Sequence, residues 1–312
     1  MWSYERVLLT SVGSFPKLNE SSEASIKLFT DRQIQLGYDI VTDGEPRSDM
    51  IGYFVDSIPG LGYSNGKPAI VGNITEMPDV YEFSKIKDYQ FQRIYLQRKN
   101  IEKEIKVAVT GPITLGFTCA MGGLKKYENV RDFKIYQDLA YALNPVLVKL
   151  QNLGAIVQID EPGLSAGFVS YDFIKYIDIA AEGLNPDRTV LHVCGKISKN
   201  LHKILLGLEN VSVFSHAFAG TIENLDVLER NEMKHSDKKL GLGCARVDVK
   251  DLYGVNTIDD IVSTINRVES AVGEDLIACI HPDCGLGTTP LEVAEKILEN
   301  LPLANSKLKK ED

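Results

Sequence analysis

Apolar positions along this chain follow two alternating patterns. Short runs rich in Val, Ile and Leu recur at 7–12, 39–42, 107–110, 156–159, 190–193, 211–215, 240–247 and 276–280. Runs of this length, bounded by polar or turn residues, predict buried strands. Longer stretches with helical spacing lie between them, at about 21–36, 83–104, 130–153, 171–182, 198–208, 221–232, 257–272 and 290–300. Ser21 ahead of Glu23 is a capping signal, and Thr289-Pro290 places proline at a first helical position. Gly37, Gly154 and Gly183 follow helices, where a left-handed residue closes the last turn. Eight strands alternating with eight helices predict an α/β fold, a single-domain (β/α)8 TIM barrel over residues 1–312.

Three segments stand apart from this rhythm. Residues 44–78 hold Gly52, Gly60, Gly62, Gly66 and Gly72, and read as a long loop after the second strand with room for a small hairpin. Gly111-Pro112 reads first as a turn. Residues 303–312 end in a run of charges and read as a solvated tail.

Composition narrows the function. Apolar residues make up 44% and charged residues 25%, ordinary usage that excludes a disordered chain. Lys plus Arg number 34 against 43 Asp plus Glu, a formal charge of −9. Phosphate binding rests on clustered basic residues, so a nucleic-acid partner is not expected. No run approaches the roughly 18–20 apolar residues that span a bilayer, so no membrane partner is expected. The N-terminal run passes into Gly13-Ser14-Phe15-Pro16 without a small-residue cleavage site, and the expected compartment is the cytoplasm. Five cysteines are too few and too scattered for a disulfide scaffold.

Barrel enzymes build their sites at the C-terminal ends of the strands. Here those ends read Ser14, Asp43-Gly44-Glu45, Thr110-Gly111-Pro112, Asp160-Glu161-Pro162, His192-Val193-Cys194, Ser215-His216, Asp248 and His281-Pro282-Asp283-Cys284. Nearly every strand delivers a polar or metal-competent group to one rim. His192 and Cys194 are two apart and leave the same face of a strand, and Cys284 ends the last strand. One imidazole and two thiolates suit zinc. Two thiolate ligands leave the metal less acidic, which favours activating a bound thiol over hydrolysis and makes alkyl transfer to sulfur the expected reaction class. Cys119, Cys244 and Cys279 read as packed apolar groups. Glu45, Asp160 and Glu161 offer carboxylates for a substrate ammonium, or ion-pair partners for Arg47 or Arg246. Neighbours on a strand point oppositely, so only one of Asp160 and Glu161 is expected to face the site.

With these residues in place, the chain resembles the catalytic C-terminal barrel of cobalamin-independent methionine synthase. The resemblance rests on Ser11-Val12-Gly13-Ser14-Phe15-Pro16, Asp43-Gly44-Glu45-Pro46-Arg47-Ser48-Asp49-Met50, Thr110-Gly111-Pro112-Ile113-Thr114, Gln158-Ile159-Asp160-Glu161-Pro162, His192-Val193-Cys194 and Pro282-Asp283-Cys284-Gly285-Leu286, in family order. The family's N-terminal barrel has no counterpart among these segments. The resemblance implies a methyltransferase that makes methionine from homocysteine. It implies Zn2+ on His192, Cys194 and Cys284, the homocysteine ammonium on Glu45 and Asp160, and its carboxylate near Ser14.

The chain departs from the family at three places. A family glutamate that ligates zinc is replaced, by spacing, with His216, the expected fourth ligand, with Ser215 one step away. A histidine thought to aid proton movement becomes Asp248, the expected catalytic group at that strand. A tryptophan that meets the folate pterin aligns near Thr118, and the only tryptophan is Trp2. This shifts the expected methyl donor from methyltetrahydrofolate towards methylcobalamin, free or on a corrinoid protein. Alternatives are methyltetrahydrofolate itself, a different thiol acceptor such as coenzyme M, a non-catalytic corrinoid- or homocysteine-binding partner, and a structural zinc.

Overall fold

The eight apolar runs become the strands of one parallel sheet in the computed structural model, which describes residues 7–74, 77–167 and 170–311. In chain order the strands are β1 (Leu8–Leu9), β2 (Ile40–Val41), β3 (Leu61–Ser64), β4 (Lys67–Ile70), β5 (Glu104–Thr110), β6 (Ile156–Asp160), β7 (Thr189–Val193), β8 (Val213–Ala217), β9 (Lys239–Ala245) and β10 (Ile277–Pro282). The large sheet runs β1-β10-β9-β8-β7-β6-β5-β2, with every pair parallel. Parallel bridges at Thr10–Ile40 and Ser14–Gly44 bring its two end strands together. With helices between the strands this is the expected TIM barrel.

The strands are buried on both faces, as parallel strands covered by helices must be. Outward residues pack on the helices in the main core. Inward residues sort by height. Leu8, Ile40, Ile156, Val190, Val213, Ala278 and Cys279 form a separate apolar plug in the barrel. Above it, two residues further along the strands, come Gln158, His192, Ser215 and His281, all buried. A polar layer on an apolar floor is a site in the making.

Helix ends obey local chemistry. Ser21 Oγ accepts from Ala24 N–H at 3.3 Å to open the helix Ser22–Gln35. Thr257 and Asp260 form a reciprocal capping box on Ile258–Val272, whose buried Ile261, Ile265, Val268 and Val272 keep one face on the barrel. Gly37, Gly154 and Gly183 have φ of +84°, +100° and +80°, the left-handed closure their positions predict.

Two expectations change, and the hairpin for which the 44–78 loop had room is present. Gly111-Pro112 is a helix start: Pro112–Gly122 is helical, with proline in the first turn. Its apolar residues are buried on several sides, against the hairpin and the helix Phe133–Asn152, so no single polar face marked it. The loop at 44–78 contains the hairpin β3–β4 and the short helix Gly52–Val55. Asn65 and Gly66 at the hairpin tip both have positive φ, as a two-residue turn requires. Finally, the last helix runs Leu291–Glu311, so residues 303–311 continue a helix. Pro302 lies inside this helix. The Leu298 carbonyl that Pro302 cannot bond accepts from Tyr38 Oη at 3.2 Å, so it is not left without a partner. Among the described residues no helix is long and apolar enough to cross a membrane.

Candidate active site

His192 lies on β7 and Cys194 two residues on, so both side chains lean over the barrel mouth. Cys284 follows β10, which lies three places along in the sheet. The curvature of the barrel brings them together: one ligand-capable atom from each lies within 4.8 Å of the others. His192 is buried, and among the described residues its Nε2 meets no nitrogen or oxygen partner and looks towards the thiols. Its Nδ1 is 2.8 Å from Ser215 Oγ. The hydrogen bond with Cys194, reinforced by burial, pushes the Cys284 thiol well above its ordinary value. The same bond lowers Cys194. A lone imidazole nitrogen facing two sulfurs that compete for a proton is a donor set that fits zinc.

A cavity of about 290 Å³ opens over these groups, with Ser14, Glu45 and Asp160 on its walls. The adjacent carboxylates at the end of β6, Asp160 and the residue after the strand, Glu161, point to opposite sides. Asp160 faces the cavity and accepts from Gln158 Nε2 at 2.7 Å. Burial raises its carboxyl above the ordinary value, against the pull of His192. Glu161 turns away and caps the helix Pro112–Gly122, accepting from Ile113 N (2.9 Å), Thr114 N (2.7 Å) and Thr114 Oγ1 (2.6 Å). Burial pushes Glu161 up to about 7, against those three bonds. Gly111 touches this carboxylate so closely that a Cβ would lie 2.1 Å from Oε1.

Glu45 has φ +52° and a salt bridge of 2.5 Å from Oε1 to Lys85 Nζ. Lys85 comes from the helix Ser84–Arg98, is completely buried, and stacks over the Tyr53 ring at 4.0 Å. Burial acts to lower its pKa, but Glu45 and Asp43 outweigh burial and hold the ammonium charged. The arginines considered as partners lie elsewhere: Arg47 grips Asp88 and Arg246 grips Asp248. At the opposite wall, Ser14 O accepts from Leu286 N at 2.9 Å and Ser14 Oγ from Gly287 N at 3.2 Å, which ties the β1 loop to the Cys284 loop.

Two site expectations are corrected by these positions. His216 does not join the cluster. On β8 it is Ser215 that faces the axis, so its neighbour His216 must face the helices. His216 sits there beside His202, ring centroids 6.1 Å apart. Asp248 is 68% exposed, paired with Arg246, and does not line the cavity. The chain has left β9 before reaching it. Thr118 is half-buried in Pro112–Gly122, also off the cavity wall, and Trp2 lies outside the described residues. Sequence reasoning missed Lys85 and Lys106. Lys106 carried a signal, a lysine between Ile105 and Val107 inside a buried strand, where burial lowers its amine to about 8. Lys85 carried none, because its helix shows no clean apolar stripe.

The displaced histidine pair has a measurable consequence. Burial lowers His202 to about 4 and His216 to about 3. Both nitrogens of His202 lack partners among the described residues. Below pH ~6.5 the unfolded chain protonates at these positions while the folded chain does not, so stability is lost as pH falls from 6.5 towards 4. His202→Leu removes one such group. The variant is expected to gain about 2 kcal/mol on wild type between about pH 7.5 and pH 5 in urea unfolding. A difference that stays constant with pH would refute this account.

The comparisons with known proteins agree with this geometry. Residues 14–306 match the family described as cobalamin-independent synthase, catalytic domain. A methionine synthase of Methanocaldococcus jannaschii is 30% identical, covering 98% of this chain and 95% of that protein. A 5-methyltetrahydropteroyltriglutamate–homocysteine methyltransferase of Shewanella oneidensis is 25% identical, covering 90% of this chain and 37% of that protein. Among solved structures, a B12-independent methionine synthase from a Shewanella species, in complex with selenomethionine, has a TM-score of 0.76 at 20% identity over 98% of both chains, a likeness of fold.

Proposed function

We propose that this chain, which belongs to the cobalamin-independent synthase catalytic-domain family and is a methyltransferase of the methionine synthase type, methylates the sulfur of homocysteine with zinc held by His192, Cys194 and Cys284. The observation that carries the reading is the His192 Nε2 that, with no nitrogen or oxygen partner among the described residues, faces two thiols at the floor of a cavity walled by carboxylates. Zinc, when bound, supplies the Lewis acidity that keeps a substrate sulfur as thiolate near neutral pH.

The chain's own residues do the rest. Asp160 and Glu45 receive the ammonium of homocysteine; Glu45 keeps Oε2 for this while Oε1 stays on Lys85. The backbone around Ser14, held by the Cys284 loop, receives the carboxylate. Gripping the amino acid at two points aims its sulfur at the cavity floor, and such orientation contributes several kcal/mol to a rate. An acceptor without an amino group, such as coenzyme M, leaves these carboxylates without a role. The reading places this chemistry in the cytoplasm, where its free cysteines stay reduced.

The methyl donor in this reading is a methylated corrinoid, free or on a partner protein. Two observations support it. Neither Thr118 nor its neighbour Phe117 lines the cavity, so that region offers no flat aromatic surface to a pterin. The full-length relative is a methionine synthase, whereas the relative named for a folate donor is more than twice as long. The test is methionine formation by zinc-loaded protein with homocysteine, run in parallel with methylcobalamin and with methyltetrahydrofolate. Repeated turnover is expected with methylcobalamin. Turnover with the folate alone would overturn the donor assignment, and no turnover with either would overturn the reading as an enzyme of this reaction acting alone.

A further inference from the structure

We infer that Ser215 and His281 are positioning residues that fix the tautomer of His192 and so present its Nε2 lone pair to the metal. The inference rests on the zinc reading above. Its basis is a line of hydrogen bonds across four strands. His281 Nδ1 lies 2.7 Å from the Pro282 carbonyl, His281 Nε2 lies 2.8 Å from Ser215 Oγ, and Ser215 Oγ lies 2.8 Å from His192 Nδ1.

The direction of this line follows from one fixed end. A carbonyl can only accept, so His281 Nδ1 carries a proton and donates it. His281 is completely buried and, among the described residues, its hydrogen-bond partners are a hydroxyl and a carbonyl and no carboxylate, so the ring is neutral and its Nε2 is an acceptor. Ser215 must then donate its single hydroxyl proton to His281. Its oxygen is left to accept, and His192 Nδ1 must carry the proton it accepts. A neutral His192 protonated on Nδ1 has its lone pair on Nε2, the atom that faces Cys194 and Cys284 and has no nitrogen or oxygen partner among the described residues. Metal-bound histidines commonly have their second nitrogen fixed by a carboxylate or carbonyl. Here a serine and a second histidine do that work.

The fold makes room for this line. Ser215 on β8 and His281 on β10 are separated by β9, and their contact has to cross it. The β9 residue paired with Ser215 is Gly241. A Cβ there would lie 3.1 Å from His281 Nε2 and 3.2 Å from Ser215 Cβ. The position therefore stays clear for the two side chains to meet.

The test compares wild type with Ser215→Ala, Ser215→Thr and His281→Phe. Zinc affinity is read by competition with a chromophoric chelator. The His192 tautomer is read by long-range proton–nitrogen NMR on metal-free protein with labelled histidine, five in all, assigned with a His192→Gln control. Thermal melts check that each variant folds. Ser215→Ala and His281→Phe are expected to weaken zinc by roughly 10–100-fold, the usual cost of losing such a partner. Ser215→Thr keeps the hydroxyl and is expected to stay within about threefold of wild type. In His281→Phe the serine proton turns to His192 Nδ1, and the Nε2–H tautomer is expected to appear. Unchanged affinity and tautomer in folded Ser215→Ala and His281→Phe would overturn this inference and leave the zinc reading intact. A wild-type protein that takes up no zinc would instead overturn the zinc reading, before any variant is compared, and this inference with it.

Discussion

Cys284→Ser is expected to abolish stoichiometric zinc binding and to lower methionine formation by roughly a thousandfold or more, beyond the 10–100-fold cost of disturbing a ligand's partner. The zinc ligand is a thiolate, and a serine hydroxyl does not ionise in the working pH range. The change leaves His192 and Cys194 as two ligands from one strand, too few to hold the metal against dialysis. Shape is nearly conserved and the residue is only half-buried, so the fold should survive. The contrast is Cys279→Ser. That thiol lies in the apolar plug below the site, where burial raises it to about 11. It should lose some stability and keep its zinc. Metal content by atomic emission and initial rates on both proteins decide the matter. Full zinc and a rate within tenfold of wild type in Cys284→Ser would remove the ground for the proposed chemistry.

Glu45→Gln should produce the second-largest effect, and it has two separable parts. The carboxylate both faces the cavity and neutralises Lys85, which is completely buried. Removing the charge strands an ammonium in the core, and breaking a buried pair costs about 3–5 kcal/mol. It also removes one of two carboxylates available to the homocysteine ammonium. A lost charge-assisted bond of about 1.5–3 kcal/mol predicts KM for homocysteine rising roughly ten- to a hundredfold. Adding Lys85→Met to Glu45→Gln removes the stranded charge and refills its space over Tyr53. The double variant should recover most of the stability while KM stays high. Urea unfolding and homocysteine titrations on the three proteins separate the two roles. If KM recovers along with stability, Glu45 serves Lys85 and not the substrate.

The two variants probe residues of different legibility. Cys284 was readable because a thiol at a strand end, two hundred and more residues from Ser14 yet on the same rim, is a property of barrel topology and local spacing. Half of the Glu45 environment was not. Lys85 reaches it from a helix forty residues on, and which turn of a helix meets a loop is set by packing. The same holds for the helix Pro112–Gly122: burial on several sides erased the polar face by which helices are recognised, and its cap comes from Glu161, which follows β6 nearly fifty residues on.

The chain alone determined what depends on near neighbours. Alternation with period two and period 3.6 marks strands and most helices, so eight strands, their order and most of the residues at their ends could be read; β9 ends at Ala245, short of Asp248. His192 and Cys194 share a face for the same reason. Tertiary structure decided which face. Pairing His192 with Ser215 across β7 and β8 sends His216 outward, and one residue of register would have reversed that. It also decided that Asp160 looks into the cavity while Glu161 caps a helix, and that Asp248 stands in solvent. Register and packing are settled between segments far apart in the chain, where no local pattern carries the information.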